Sequence, residues 1–398
     1  MSERDEPVAA HGDSERPAPS PSGRSAGGGD VATWAVVAGG GTAGHLLPGL
    51  ALARALVTGG RDPASIHFVG SARGPEGIMV PQAGFAVDLL PGRGIQRRLT
   101  PANVVAVVDL IRAMFKGFAL VRRHRPSVVV VLGGYASFAC GLGAVLLRIP
   151  IVLLEQNKKA GAVNRLLRRV ARAAAVSFAG TDLPRSVVTG NPLRPEIREM
   201  AEHPDPAAAR AALGLPADRT VIGVFAGSLG SRRINEAVKG LAERWADRSD
   251  LAIRHVIGSR DFHDFTADAP VPPPGGLVYQ QVRYEDRMHL LLDASDLAVT
   301  RAGGSVFELM AAGLPSILVP LPIATRDHQM ANAKAVAATG GAVVVPDAEL
   351  DADRLETELT ALLGDPDRLE AMARAMRGAA KVDAAERAGE VVEAVARG

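Results

Sequence analysis

The sequence predicts an α/β protein in which two doubly wound, parallel-sheet domains of the Rossmann type follow one another along the chain. The chain has 398 residues, and at roughly 100–200 residues per domain this length favours two domains over one. From Trp34 onward, apolar runs of strand length alternate with segments of helix length, which is typical of a parallel sheet covered by helices on both faces. The alternation starts again after a passage rich in proline and alanine at residues 191–216.

The individual elements follow from this alternation. The candidate strands of the first series lie at residues 34–38, 65–69, 85–90, 127–132, 149–154 and 174–178, with helical patterns at 45–58 and 101–123. The second series supplies strands at 220–226, 251–257, 276–280, 297–300, 316–319 and 342–345, a short helix at 207–213, a surface loop at 271–276, and one or two helices from 365 to 398. We therefore place the two domains at 31–194 and 195–372, and we expect a C-terminal helix at 373–398 to pack back on the first domain.

Composition excludes several classes of protein. Residues 1–30 are rich in Ser, Pro, Gly and charge and hold no apolar run, so we expect a disordered tail and no secretory signal. No apolar stretch reaches the roughly 20 residues of a spanning helix, so the chain is expected to be soluble or at most peripheral to a membrane. The single cysteine, Cys140, excludes a disulfide framework and a cysteine-based zinc site. A net charge of +2 excludes neither nucleic acid nor lipid but does not suggest a global polyanion binder. The 4% of aromatic residues argue against stacking-rich binding of single-stranded nucleic acid, and no nucleic-acid partner is expected.

Two glycine-rich turns join a strand to a helix, one in each predicted domain. The first, at residues 38–45, places Gly39, Gly41 and Gly44 in the spacing GxGxxG. A dinucleotide site also needs an acid near the end of the second strand, and residues 69–72 supply none. The second turn lies at 225–231. Both turns offer free N–H groups to an anion at a helix N-terminus, although tight strand-to-helix geometry alone also explains each of them.

Polar residues follow several predicted strands, at the carboxyl ends where open α/β sheets bind ligands. Tyr135 follows one strand, and Glu155 and Asn157 follow the next. In the second half, Glu308 lies on the helix after a glycine turn, and Gln329 lies in the segment 327–332. A carboxylate such as Glu308 suits a ribose diol. Taken singly, strand-end residues are also explained as caps or turn formers, and Glu308 as a first-turn acid that favours the helix dipole.

His45 lies on the first turn of the helix that follows the first glycine turn. A helix N-terminus lowers the pKa of histidine and keeps the imidazole neutral, as a general base requires. A lone helical histidine is more often structural than catalytic, but this position makes His45 the candidate base.

These segments, in this order, resemble the MurG family, the GlcNAc transferases of bacterial peptidoglycan synthesis. The resemblance runs from about Trp34 to the C-terminus and includes the passage ATRDHQMANA after a VPLP strand. It implies the GT-B fold, in which two Rossmann-like domains face a cleft. It also implies that GlcNAc passes from UDP-GlcNAc to the C4 hydroxyl of the MurNAc of lipid I, giving lipid II with inversion at the anomeric carbon. The protein would then act at the cytoplasmic face of the cell membrane.

The resemblance also implies the site. His45 would be the base, with Glu155 or Asn157 orienting the acceptor. Substrate contacts would come from Thr42, Ala43, Gly44, Tyr135, Asn157, Arg194, Ser228, the Glu285 backbone, Gly304, Ser305, Glu308 and Gln329. The chain departs from the family pattern at Ala43 and Leu229, and its loop at 301–308 is one residue shorter. No metal and no cofactor are expected, because no Asp-x-Asp triplet ends a strand and backbone N–H groups can stabilise a diphosphate.

Three alternatives stay open at this point. The first is another GT-B transferase that glycosylates a lipid, and the second is a UDP-GlcNAc 2-epimerase, which shares the two-domain form but acts at C2. The third is a catalytically silent nucleotide-sugar-binding scaffold.

A lipid-linked acceptor also predicts that the first domain rests on an anionic membrane surface. The candidate segment is residues 93–99 with the helix at 101–123, where apolar and basic side chains alternate, a mixture that suits shallow insertion. The apolar members are Ile95, Leu99, Met114, Phe115 and Phe118, and the basic members are Arg93, Arg97, Arg98, Arg112 and Lys116. An ordinary helix that buries one apolar stripe explains residues 114–118 equally well.

Overall fold

The computed structural model describes residues 31–91, 101–227, 229–322 and 324–398, without the side chains of 101–110 and Thr325. The predicted tail at 1–30, the loop at 92–100 and Ser228 lie outside the described residues. Within the described part, the predicted α/β architecture with two parallel sheets is confirmed. None of the helices described is long and apolar enough to cross a membrane.

The first sheet has seven parallel strands in the order β3-β2-β1-β4-β5-β6-β7. They are β1 (Ala35–Gly39), β2 (Ile66–Ser71), β3 (Ala86–Leu90), β4 (Val128–Gly133), β5 (Ile151–Glu155), β6 (Ala173–Val176) and β7 (Ser186–Val188). The helices between them are α1 (Ala43–Thr58), α2 (Glu76–Gln82), α3 (Pro101–His124), α4 (Gly134–Leu147) and α5 (Ala162–Leu167). The sequence analysis missed β7, because this edge strand has only three residues and two of them are exposed.

The second sheet has six parallel strands in the order β10-β9-β8-β11-β12-β13. They are β8 (Thr220–Phe225), β9 (Leu251–Val256), β10 (Val278–Val282), β11 (Leu297–Thr300), β12 (Ser316–Leu318) and β13 (Ala342–Val344). Its helices are α6 (Pro195–Glu202), α7 (Pro206–Leu213), α8 (Arg232–Arg244), α9 (Phe262–Ala267), α10 (Met288–Ala294), α11 (Ser305–Ala312), α12 (His328–Ala337), α13 (Ala352–Leu363) and α14 (Pro366–Ala379). Each predicted strand of this half matches an observed one to within a few residues.

Apolar layers cover both faces of each sheet, which is why the central strands β1, β4, β8 and β11 are largely apolar. The last helix, α15 (Ala384–Arg397), belongs to the first sheet and not to the second. Its Ala388 and Val392 are buried in one apolar cluster with Leu56 of α1 and Val130 of β4. The chain therefore crosses back to the first sheet after α14, which packs against α11.

The strand order determines where the glycine-rich turns lie. In each sheet the order reverses beside the first strand of the half, between β1 and β4 and between β8 and β11. Helices leave these neighbouring strands toward opposite faces, so a crevice opens at their carboxyl ends. The turns after β1, β4, β8 and β11 border these crevices, although each pair is far apart in sequence.

Candidate active site

A cleft with a cavity of about 740 Å³ lies between the two sheets, at the carboxyl ends of their strands. Both halves of the chain line this cavity, and eight of the predicted site residues are among its lining: Thr42, Gly44, His45, Tyr135, Glu155, Asn157, Gly304 and Gln329. The remaining described candidates, Ala43, Arg194, Glu285, Ser305 and Glu308, are not part of that lining. Loops that the sequence predicts at the strand ends of the first and the second half thus meet across one cleft.

His45 is largely buried at the first turn of α1 and is held from two sides. Its Nδ1 lies 2.9 Å from the hydroxyl of Thr42. Its ring packs on Gly133, where a Cβ would come within 2.8 Å of the imidazole and where φ is +112°, so that position favours glycine. A proton donated from Nδ1 to Thr42 would leave the lone pair on Nε2. Both contacts restrict the ring to one orientation.

Burial lowers the pKa of His45 below the ordinary value of 6.5, and nearby His328 lowers it further, while the Glu155 carboxylate opposes the shift. The imidazole is therefore neutral at pH 7 and can accept a proton. Since protonation of His45 removes the base, kcat/KM should be constant near neutrality and fall only below pH 6.5. A pH–rate profile measures this. An acidic limb centred above pH 7 would contradict it.

Glu155 is buried at the end of β5, and its carboxylate accepts hydrogen bonds from four N–H groups of the following segment. The donors are Asn157 N and Nδ2 at 3.0 and 3.1 Å, Gly161 N at 2.9 Å and Asn164 Nδ2 at 2.8 Å. A buried carboxylate satisfied in this way shapes the loop around it. We therefore assign to Glu155 the positioning of the loop at 156–161, which is the cleft wall opposite the second domain.

Asn332 of α12 joins the two halves of the cleft, and the sequence analysis did not single it out as a site residue. Its Nδ2 donates to Asn157 Oδ1 at 3.1 Å and to Ala302 O at 3.1 Å, and its Oδ1 accepts from Lys158 N at 2.9 Å. One buried side chain thus fixes the Glu155 loop of the first domain against the turn after β11. The sequence feature that could have identified Asn332 is its position in the polar segment at 327–332.

Arg194 and Glu308 form an ion pair where the chain passes from the first domain to the second. Arg194 Nε and Nη2 lie 3.0 and 2.9 Å from Glu308 Oε1, and the side chains are 24% and 17% exposed. Burial raises the pKa of the Glu308 carboxyl, and Arg194 opposes the shift. The pair uses one carboxylate oxygen, so Oε2 is the atom that remains for a ligand hydroxyl.

The N-terminus of α11 faces the cleft through Gly303 and Gly304, which line the cavity and carry no side chain to block it. A helix N-terminus without a side-chain cap attracts an anion. Gln329 lies beside this turn, and its Oε1 accepts a hydrogen bond from Leu321 N at 2.9 Å. The Arg301 guanidinium is bound within the protein, to Asp347 at 2.6 Å and to Ser231 Oγ at 2.5 Å.

Glu76 is a buried carboxylate beneath the first glycine-rich turn, and the sequence analysis missed it. It is 1% exposed, and its Oε1 accepts a hydrogen bond from Gly41 N. Gly40 has φ +130° and passes so close that a Cβ there would collide with the Glu76 carboxylate. The turn therefore wraps a carboxylate of the protein itself. Glu76 thus already accepts one of the N–H groups that the turn would otherwise offer to an anion.

Three more predicted residues have partners within their own domain. The hydroxyl of Tyr135 donates to Leu90 O at 2.8 Å and lies 3.0 Å from Ser71 Oγ, so it ties α4 to the ends of β2 and β3. The Glu285 carboxylate is buried against Arg254 at 2.6 Å. The contact of a ligand with the Glu285 backbone stays a prediction. Ser305 Oγ contacts Arg301 O at 3.4 Å.

Two matched domain models define the class of protein. Residues 35–176 match the glycosyltransferase family 28 N-terminal domain, and residues 221–388 match the glycosyltransferase family 28 C-terminal domain. The fold, the cleft and both matches therefore describe a two-domain glycosyltransferase.

Similar proteins with curated names narrow this class to one family of transferases. A UDP-N-acetylglucosamine–N-acetylmuramyl-(pentapeptide) pyrophosphoryl-undecaprenol N-acetylglucosamine transferase from Desulforudis audaxviator is 36% identical, over 91% of this chain and 98% of that protein. A relative of the same name from Salinibacter ruber is 38% identical, over 88% of this chain and 94% of its own. The chain belongs to this transferase family, the MurG family of glycosyltransferase family 28.

Solved structures agree with this fold. MurG of Acinetobacter baumannii has a TM-score of 0.70 at 26% identity and covers 91% of this chain and 99% of its own. UDP-GlcNAc 2-epimerase of Neisseria meningitidis, bound to UDP-GlcNAc, has a TM-score of 0.64 at 14% identity, with 92% and 100% coverage. At that identity the epimerase shares the GT-B fold alone. The family resemblance and the GT-B architecture expected from the sequence are thus confirmed.

Proposed function

We propose that this protein is the inverting hexosyltransferase that moves GlcNAc from UDP-GlcNAc to the C4 hydroxyl of the MurNAc of lipid I, giving lipid II. The observation that carries the proposal is the cleft itself. It places a neutral, oriented imidazole of the first domain opposite an uncapped helix N-terminus of the second. Single displacement at an anomeric carbon needs a base on one side and charge stabilisation of the leaving group on the other.

The proposed step is one in-line displacement. His45 takes the proton of the acceptor C4 hydroxyl as that oxygen attacks C1 of GlcNAc. The bond between C1 and the β-phosphate oxygen breaks, its electron pair leaves with UDP, and the anomeric centre inverts. The N-terminus of α11 stabilises the charge that develops on the diphosphate.

The division of labour between the domains is part of the proposal. Residues 31–194 take the acceptor and rest on the membrane, residues 195–372 hold the UDP-sugar, and the C-terminal helix braces the first domain. His45 and the Glu155 loop belong to the acceptor side, whereas Gly304, Ser305, Glu308 and Gln329 belong to the donor side. Ser228, which lies outside the described residues, keeps its predicted donor role.

Acceptor-dependent release of UDP tests the function. The purified protein should release UDP from UDP-GlcNAc only in the presence of a polyprenyl-diphospho-MurNAc-peptide, because the base acts on the acceptor hydroxyl. A coupled UDP assay, with and without the acceptor, measures this. Equal release without acceptor, or the appearance of UDP-ManNAc, would contradict the transferase.

Glu308→Ala should weaken UDP binding at least about tenfold, because a hydrogen bond to a charged group contributes on the order of 1.5–3 kcal/mol. Isothermal titration with UDP and with its deoxyribose analogue dUDP separates the diol contact from general damage. Wild-type protein should prefer UDP, and the variant should not. Glu236→Ala, which removes an exposed carboxylate on α8 of the second domain, is the matched control and should bind UDP like the wild type. Unchanged UDP affinity in Glu308→Ala would move the ribose elsewhere.

The membrane surface is the remaining partner in the proposal. On the described part of α3, Phe115 is 73% and Ile111 49% exposed, next to the exposed side chains of Arg112 and Lys116. Met114 instead packs against the apolar core of the first domain. One face of α3 thus builds the core, while the opposite face presents apolar and basic groups together. That second face is the proposed contact with the cytoplasmic leaflet, and residues 93–99, which lie outside the described part, keep their predicted role in it.

A further inference from the structure

His67, Asp88 and His124 form a cluster on the first domain that the reaction does not use. His67 is the second residue of β2, Asp88 lies on the edge strand β3, and His124 ends α3. Since the cleft lies at the carboxyl ends of the strands, the histidine near the amino end of β2 lies away from it. One ligand atom from each of the three side chains lies within 4.8 Å of the other two. All three side chains are partly buried.

The distances suit a four-coordinate cation. His67 Nε2 lies 2.9 Å and His124 Nε2 lies 3.8 Å from Asp88 Oδ2. Ligand atoms around tetrahedral zinc, with bonds of about 2.0–2.2 Å, are roughly 3.3–3.5 Å apart. The two observed separations fall on either side of that range. The imidazoles stack with their centroids 4.1 Å apart, so both rings approach the carboxylate from one side.

The arrangement around His124 points to a missing partner. Its Nδ1 lies 2.9 Å from the Thr33 hydroxyl, whereas its Nε2 is buried without a hydrogen-bond partner in the described part of the chain. In a metal-binding histidine, one ring nitrogen usually hydrogen-bonds to a neighbouring group while the other nitrogen points at the metal. An ion pair between His67 and Asp88 alone leaves the His124 nitrogen unsatisfied, and a buried polar atom in that state is costly.

We propose that His67, Asp88 and His124 bind a divalent d-block cation, with Zn²⁺ as the reference ion and water as the fourth ligand. Two imidazoles and one carboxylate are ligands that favour such cations over Mg²⁺ or Ca²⁺. The cation joins β2, β3 and the end of α3, and through Thr33 also the chain segment before β1. It stabilises the first domain and takes no part in the transfer of GlcNAc.

Titration of the EDTA-treated full chain with Zn²⁺ and Co²⁺ tests the site. We expect one equivalent to bind, with visible absorption of tetrahedral intensity for Co²⁺ and a raised Tm for Zn²⁺. Removing a group that hydrogen-bonds a metal ligand typically reduces metal affinity about 10–100-fold. Thr33→Val should therefore lower Zn²⁺ affinity by a factor in that range. His124→Gln and Asp88→Asn remove a ligand and should lose more. His203→Gln, an exposed histidine elsewhere, should bind like the wild type.

Two results would overturn the site. One is a wild-type chain that binds less than one equivalent of Zn²⁺ and Co²⁺, or binds them without tetrahedral Co²⁺ absorption. The other is an unchanged affinity for Zn²⁺ in both single variants, Thr33→Val and His67→Gln. Thr33→Val keeps all three ligands, so the test holds even if His124→Gln fails to fold.

Discussion

Replacing His45 with alanine should lower kcat by about 10²–10⁴-fold, the usual contribution of a general base, and leave the affinity for UDP-GlcNAc nearly unchanged. The proposed donor contacts lie in the second domain, whereas the imidazole is held by Thr42 and Gly133 in the first. Steady-state kinetics with saturating acceptor measure kcat, and titration with UDP measures donor binding.

The control for His45→Ala is His263→Ala, which removes an exposed imidazole on α9 of the second domain and should leave kcat intact. A His45→Ala enzyme with near-normal kcat would remove His45 from the mechanism. A parallel loss of UDP affinity would instead place His45 on the donor. Thr42→Val gives an intermediate case, because it keeps the imidazole but removes the hydroxyl at its Nδ1.

Replacing Arg93, Arg97 and Arg98 together with glutamate should weaken binding to anionic vesicles by roughly 100-fold or more. Each basic residue near an anionic surface contributes about 1 kcal/mol, and about 1.4 kcal/mol is tenfold in affinity. Co-sedimentation with phosphatidylglycerol vesicles measures this at low salt, since added salt screens the attraction. UDP-GlcNAc affinity should not change, because the donor is proposed to sit mainly in the second domain.

The matched control for the arginine variant is Arg233, Arg283 and Arg368 changed to glutamate, three exposed arginines of the second domain with the same total charge change. It should keep wild-type vesicle binding if the docking surface is local. Phe115→Ser tests the apolar part of that surface, because this side chain is 73% exposed on α3. Equal loss in both triple variants would mean that net charge alone governs binding.

The sequence by itself determined the fold class, nearly every strand and the cleft-facing loops of this protein. Parallel strands covered on both faces are continuous apolar runs, so β1, β4, β8 and β11 are visible in the sequence without any tertiary information. Polar and glycine residues interrupt the runs at the carboxyl ends, where parallel strands bind ligands. This rule and the family resemblance together predicted His45, Glu155, Asn157 and Gln329 as site residues, and all four line the cleft.

Only the tertiary structure decided which groups those side chains contact. Glu76 beneath Gly41, Asn332 against Asn157, and Arg194 on Glu308 are pairs from distant segments. The His67, Asp88 and His124 cluster is another such case. None of these pairings has a local signature, because a carboxylate or an imidazole fits a solvated surface as well as a buried pair. Periodicity in the sequence records burial along one element, whereas a contact between elements depends on register, strand order and helix packing together.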